Sequence, residues 1–201
     1  MRVTGTPSPW DYQANAQALP VEGMEGVDLS EISPGGGEGP EGYDWTAMNP
    51  GELMIPKIKL IVPVVARGII PDGSGGRTMD LPVSFQAAWL RESAEITAEN
   101  GTTVIAGHVN WSDGSWAPMS NLYNASPGMK VYLTSREGDL TVWRVTKTDE
   151  FQQSELSEKI SVIDTDGPRR LVLITCKSVT NPDGSLSFTK NWVVTAEPVQ
   201  P

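Results

Sequence analysis

Leu171-Val-Leu-Ile-Thr-Cys176 is a run of aliphatic side chains closed by a threonine and the only cysteine of the chain. Its unbroken apolar character, without alternation, is that of a strand buried on both faces, which leaves the thiol at a strand terminus or loop mouth. Upstream, Thr103-Val-Ile-Ala-Gly-His108 has the same texture and ends on the only histidine. Outward from these two runs, Thr102–His108 and Leu171–Thr175, further β-branched segments stand at Leu53–Ile55, Ile58–Val65, Lys130–Ser135, Leu140–Lys147 and Asn191–Ala196. Gly, Pro, Asn and Asp separate them, as they separate strands. Arg136-Glu-Gly-Asp139 reads as a hairpin turn. Pro56 and Pro63 call for edge positions or bulges, because proline cannot donate to a ladder. Helical signal is thin: Ser84–Glu92, Ser154–Lys159 and a short helix over Ala117–Asn124 opening after Pro118. Many short strands with few short helices predict a mainly β domain, a barrel or a sandwich.

The 201 residues leave room for one domain and an appendage. With 38% hydrophobic and 20% charged residues the chain can bury a sizeable core. A net charge of −10 argues against nucleic acid, whose phosphates require clustered Lys and Arg. Residues 1–50 hold one basic residue, Arg2, against eight acidic ones, together with eight Gly and six Pro. The run Ser33-Pro-Gly-Gly-Gly-Glu-Gly-Pro-Glu-Gly42 loses too much entropy on ordering to pack, so 1–50 is expected to be a disordered acidic Gly/Pro-rich tail and 51–201 the globular domain. No apolar stretch approaches about eighteen residues and MRVTGTPSPW has no hydrophobic core, so neither a membrane span nor a signal peptide is expected in the chain as given. One Cys and one His exclude a disulfide framework and a zinc site built on several such ligands. Asp139, Asp149 and Glu150 lack calcium-loop spacing, so neither a metal nor a cofactor is expected.

A thiol and an imidazole, each at the end of a strand, form the pair a cysteine nucleophile needs. A nearby imidazole can take the thiol proton and later protonate a leaving amine. Buried free cysteines and lone histidines are more often packing groups, so residue identity alone does not decide the matter. A third group must stabilise the oxyanion of a tetrahedral intermediate. Among Arg169, Arg170, Lys177 and Lys190, the last is best placed in sequence, since it opens the strand after the turn Asn181-Pro-Asp-Gly184.

Leu53-Met-Ile-Pro-Lys-Ile-Lys-Leu-Ile-Val-Pro-Val-Val65, then Thr103-Val-Ile-Ala-Gly-His-Val-Asn110, then Leu171-Val-Leu-Ile-Thr-Cys176, in this order and spacing, resemble a sortase over about residues 51–198. The resemblance is to the actinobacterial class E and F enzymes above all. It implies a closed eight-stranded β-barrel and a cysteine transpeptidase that cleaves a Leu-Pro-x-Thr-Gly or Leu-Ala-x-Thr-Gly sorting signal between Thr and Gly. A peptidoglycan precursor or a pilin lysine then supplies the amine, at the cell surface, outside the cytoplasm, with the enzyme a monomer. By resemblance Cys176 is the nucleophile and His108 the proton carrier. The family's arginine after the cysteine is missing: between Cys176 and Pro201 there is no Arg. Matching cation to cation puts Lys190 there, with help from Thr175 or backbone amides, whereas anchoring on Asn191 puts Thr189 there. Lysine offers a point charge where arginine offers a planar fork. A catalytically impaired module that only binds sorting-signal peptides therefore stands as the alternative, and hydrolysis, with water as acceptor, as a third. The substrate groove is expected to draw on Asn110, Trp111 and Trp116 after the histidine and on Ile160 and Val162 in the loop before the cysteine strand. The absent membrane anchor suits either a chain that begins after such a span or a natively unanchored form.

Overall fold

The computed structural model describes residues 19–20, 47–73, 76–83, 85–110, 115–153, 155, 164–180, 182–183 and 186–199. In chain order the strands are β1 (Leu19–Pro20), β2 (Ala47–Met48), β3 (Glu52–Ile55), β4 (Leu60–Arg67), β5 (Ile69–Pro71), β6 (Arg77–Met79), β7 (Ala87–Leu90), β8 (Thr102–Gly107), β9 (Lys130–Thr134), β10 (Leu140–Gln152), β11 (Arg170–Thr180) and β12 (Leu186–Pro198). Eight of them close into a barrel in the order β10-β12-β11-β8-β7-β4-β3-β9, while β1 pairs with β2 and β5 with β6. The expected mainly β, eight-stranded barrel is therefore the architecture. The tail lies outside the described residues except for Leu19–Pro20 and 47–50. There Met48 is fully buried against Met54, Ile61 and Tyr132 on the outside of the barrel.

Alternation sorts each strand onto two faces. Leu53, Ile55, Val62, Val131, Leu133, Trp143, Leu171, Leu173 and Val194 point inward and form the main core. Val104, Ala106, Val172, Ile174 and Val193 point outward and are covered by Ile69, Met79, Leu81 and Phe151. The two central runs of the sequence are apolar throughout because both of their faces are covered.

Several expected elements differ in detail. Ser84–Glu92 is not a helix: Ala87–Leu90 is a strand, paired parallel to β4 and antiparallel to β8. Two alanines of high helix propensity yield here to pairing on both edges. Ile58 belongs to a 3-10 turn, Pro56–Ile58, that ends with Lys59 at φ 50. Pro63 sits opposite Glu52, one residue before pairing to β7 begins at Val64. Because Val64 N–H donates to Gly51 C=O on the β3 side, alternation aims the Pro63 nitrogen away from β3, where no donor is needed. The helix over Ala117–Asn124 is a 3-10 helix, Pro118–Asn124. Of Ser154–Lys159 only Glu155 lies among the described residues. The β9–β10 hairpin turns at Arg136–Asp139 as expected, with Gly138 at φ 98, a conformation that suits glycine.

The pole of the barrel opposite the cysteine is tied by Arg169. Its guanidinium lies 4.6 Å from the Trp143 ring centroid and donates to Thr103 Oγ1 at 2.8 Å and to the carbonyls of Glu95 (2.9 Å) and Ile96 (2.6 Å). Burial lowers its pKa to about 10, so it remains charged at neutral pH. Replacing it with leucine removes these bonds and leaves buried acceptors unpaired. We expect Arg169→Leu to lose about 2–4 kcal/mol of stability, read from the urea midpoint. A loss below about 0.5 kcal/mol, the scale of an ordinary surface substitution, would contradict this tie.

Candidate active site

Strands β8 and β11 run parallel, in register from Thr102 opposite Arg170 to Gly107 opposite Thr175. His108 and Cys176 are the residues that directly follow this last pair, one on each strand. Both continue the outward alternation, His108 after Val104 and Ala106, Cys176 after Val172 and Ile174. Both residues therefore follow the same end of two parallel neighbours. Two buried features hold this end. The Thr175 hydroxyl donates to Gly107 C=O at 2.9 Å across the two strands. Gly107 itself has no room for a side chain: a Cβ there would meet Met119 Cγ at 2.6 Å, so the 3-10 helix packs directly on the backbone before the histidine.

That helix also fixes the cysteine from the other side. Tyr123 Oη donates to Cys176 C=O at 2.6 Å. Its ring stands edge-on to Trp192 with centroids 6.4 Å apart, and Trp192 Nε1 donates to Leu122 C=O at 3.0 Å. The backbone of Cys176 is thus clamped between β8, β12 and the helix.

The sulfur is partly buried and meets one side-chain donor. Gln153 Nε2 lies 3.8 Å from Sγ. Burial pushes the Cys176 thiol pKa up, against a smaller downward pull from Gln153. Burial also pushes His108 below the ordinary imidazole value. In both groups burial disfavours the charged form.

The residues expected in the site fall into three groups. Cys176 and His108 directly follow the last paired residues of two parallel neighbouring strands. Asn191 is directly opposite Cys176 on β12, so it and, by alternation, the exposed Thr189 share the cysteine face. Lys190 and Lys177 are opposite one another on the other face. Both ammonium groups bind the Glu150 carboxylate, Lys190 at 2.5 Å, and Lys177 also covers the Trp192 ring at 4.6 Å. Glu150 is held below the usual carboxylate range, by Lys177 first and Lys190 second. Lys190 therefore does not meet Cys176, because one residue along a strand reverses the face. Thr175 is 1% exposed and its hydroxyl is engaged inside the barrel, so its side chain does not reach the surface at the thiol. Asn110 and Trp116 form a bridge at the base of the loop after the histidine, with Trp116 46% exposed. Trp111, Ile160 and Val162 lie outside the described residues. Gln153 was not anticipated: it lies past the apolar part of β10, and only the pairing of strands brings it to the sulfur. Among the described residues no group of three or more His, Cys, Asp or Glu is placed to hold a metal ion.

A closed eight-stranded barrel with a thiol and an imidazole at the ends of two parallel neighbours defines a small class of folds, and comparison with known proteins agrees with one of them. The family model of the Sortase domain matches residues 53–199. The chain belongs to the sortase family. Among solved structures, a pilus-related sortase C of Group B Streptococcus superposes with a TM-score of 0.54 at 17% identity, covering 76% of this chain and 68% of that one. Sortase C-1 from Actinomyces oris gives 0.54 at 20% identity, covering 75% and 73%. Sortase A from Listeria monocytogenes gives 0.51 at 22%, covering 75% and 86%. No curated protein sequence matches the chain.

Two outcomes follow from the sorting of faces. Lys190→Met is expected to change the rate of iodoacetamide alkylation of Cys176 by less than about twofold, because its charge is bound to Glu150 across the sheet. Thr175→Val, which removes the bond to Gly107 while keeping the shape, is expected to lower stability by about 1 kcal/mol in thermal unfolding. An alkylation rate that collapses in Lys190→Met would show that the lysine does act on the thiol.

Proposed function

We propose that this sortase-family chain is a cysteine transpeptidase acting on a Leu-Pro-x-Thr-Gly or Leu-Ala-x-Thr-Gly sorting signal. Cys176 attacks the carbonyl carbon of the Thr–Gly bond, and His108 accepts the thiol proton as the new C–S bond forms. Collapse of the tetrahedral intermediate reforms the carbonyl and expels the glycine amine, which takes the proton back from His108. An incoming amine, from a peptidoglycan precursor or a pilin lysine, gives up a proton to His108 and displaces the sulfur. The observation that supports the reading is the parallel register of β8 and β11, which ends with Gly107 opposite Thr175, the residues just before His108 and Cys176.

On the outward face leading up to the cysteine, Ala106, Ile174 and Val193 are buried, and the partly buried Phe151 is the apolar side chain left to meet the Leu end of a sorting signal. The exposed Trp116 offers a flat face at its rim. The family's place of action makes the extracytoplasmic cell surface the expected location, with residues 1–50 as a linker to the 51–201 domain. No helix of the described residues is long and apolar enough to cross a membrane. The enzyme works as a monomer, since both reacting side chains come from one barrel.

Incubation with a Leu-Pro-x-Thr-Gly peptide is expected to add the acyl fragment to the intact mass of the protein, and triglycine to discharge it. Cys176→Ala forms no adduct, and His108→Ala loses about 10²–10⁴-fold in rate. A folded wild-type protein that binds the peptide yet never acylates would replace this reading with that of a sorting-signal binding module. The pH profile has a fixed sign. Protonated His108 cannot accept the thiol proton, and burial disfavours that protonation, so kcat/KM should hold to a pH below the ordinary imidazole value before falling. A fall centred above that value would contradict it.

A further inference from the structure

The last strand has no arginine to stabilise the oxyanion, and among the described residues the lysines next to Cys176 and Asn191 are turned away from the thiol. Lys177 and Lys190 stand on the opposite face and share Glu150. The Tyr123 hydroxyl is engaged with Cys176 C=O, and that of Thr175 with Gly107 C=O. A side-chain donor that does meet the sulfur is an amide: Gln153 Nε2, 3.8 Å from Sγ, one residue beyond β10. Its place follows from register. Phe151 pairs with Asn191, and Asn191 with Cys176. Gln153, the residue just past the end of β10, reaches Cys176 Sγ with its Nε2 across β12.

We propose that the Gln153 side-chain amide is the oxyanion donor of this enzyme, a neutral hydrogen bond standing where the family uses arginine. The inference rests on Cys176 being the nucleophile. When Sγ bonds to the carbonyl carbon, the π pair moves onto oxygen, which sits one bond beyond that carbon. An amide nitrogen already beside the sulfur needs only a small side-chain adjustment to reach about 2.7–3.1 Å from that oxygen, the distance at which a donor stabilises an oxyanion. No proton is transferred: Gln153 donates a hydrogen bond as the charge develops and loses it when the carbonyl reforms, while the thiol proton passes by way of His108 to the leaving amine. A neutral donor has a second consequence. It draws down the thiol pKa less than a guanidinium would, in keeping with a Cys176 thiol whose upward push from burial outweighs the pull of Gln153.

Comparing two reactions of the same sulfur tests this. Acylation by a sorting-signal peptide develops an oxyanion, whereas alkylation by iodoacetamide is a displacement that does not. Intact-mass kinetics on the full chain are expected to show Gln153→Ala acylating about 10²–10³-fold more slowly than wild type. Its alkylation rate at the same pH should change by no more than about threefold, which also reports that the site is folded. Gln153→Glu, which keeps the shape but offers no N–H, is expected to fall at least as far, and Gln153→Arg to retain more acylation than Gln153→Ala. Acylation of Gln153→Ala within about threefold of wild type, or alkylation that falls as far as acylation, overturns the proposal while leaving Cys176 as nucleophile. Absence of any adduct from wild type overturns the parent reading and this one with it.

Discussion

The parallel pairing of β8 with β11 is the constraint on which the site depends. Parallel neighbours cannot be joined by a tight turn, so their register is set by burial and by bonds across the pair. Arg169 fixes one end through Thr103 Oγ1 and the carbonyls before β8. Thr175 fixes the other through Gly107. Between them, side chains buried on both faces leave no alternative register, because a slip of one residue would turn Leu171 and Leu173 out of the core. Cys176 and His108, the proposed reacting groups, are the first residues beyond this locked stretch on each strand.

The same alternation divides the charges at the active end. Glu150, Lys177, Lys190 and Trp192 share the face that meets the 3-10 helix, whereas Cys176, Asn191 and Phe151 share the outward face. The ion pairs there brace the rim, and partial exposure makes each worth little alone. On the outward face burial pushes the Cys176 thiol pKa up and the His108 imidazole pKa down.

Much of this was legible in the sequence, and the remainder was hidden for identifiable reasons. Leu171–Thr175 and Thr102–His108 announced themselves because strands covered on two sides must be apolar throughout, and one thiol and one imidazole at their ends left a single pair to consider. β10, β11 and β12 run longer than their apolar cores suggest, since charged residues at their tips project past the barrel and dilute the pattern. Ala87–Leu90 was hidden by helix propensity, and β5 and β6 by their three-residue arms. Lys190 was chosen over Thr189 because charge can be read from a sequence and facing cannot. Its neighbour Asn191, paired to Cys176, decides the facing. Gln153 carried no local signal, and only the combined registers of three strands bring it to the sulfur.

One histidine and one cysteine make the central claim directly measurable, since each gives an unambiguous signal. The His108 Hε1 resonance, followed by NMR across the pH range in wild type and in Cys176→Ala, tests whether the two side chains share a rung. Adjacent groups predict two inflections in wild type. The first, below the ordinary imidazole value, is the ring's own, and the second, in the alkaline range, is the thiol losing its proton beside the ring and is absent from Cys176→Ala. A single inflection, identical in both proteins, would contradict the account by showing that His108 does not sense the charge on Cys176.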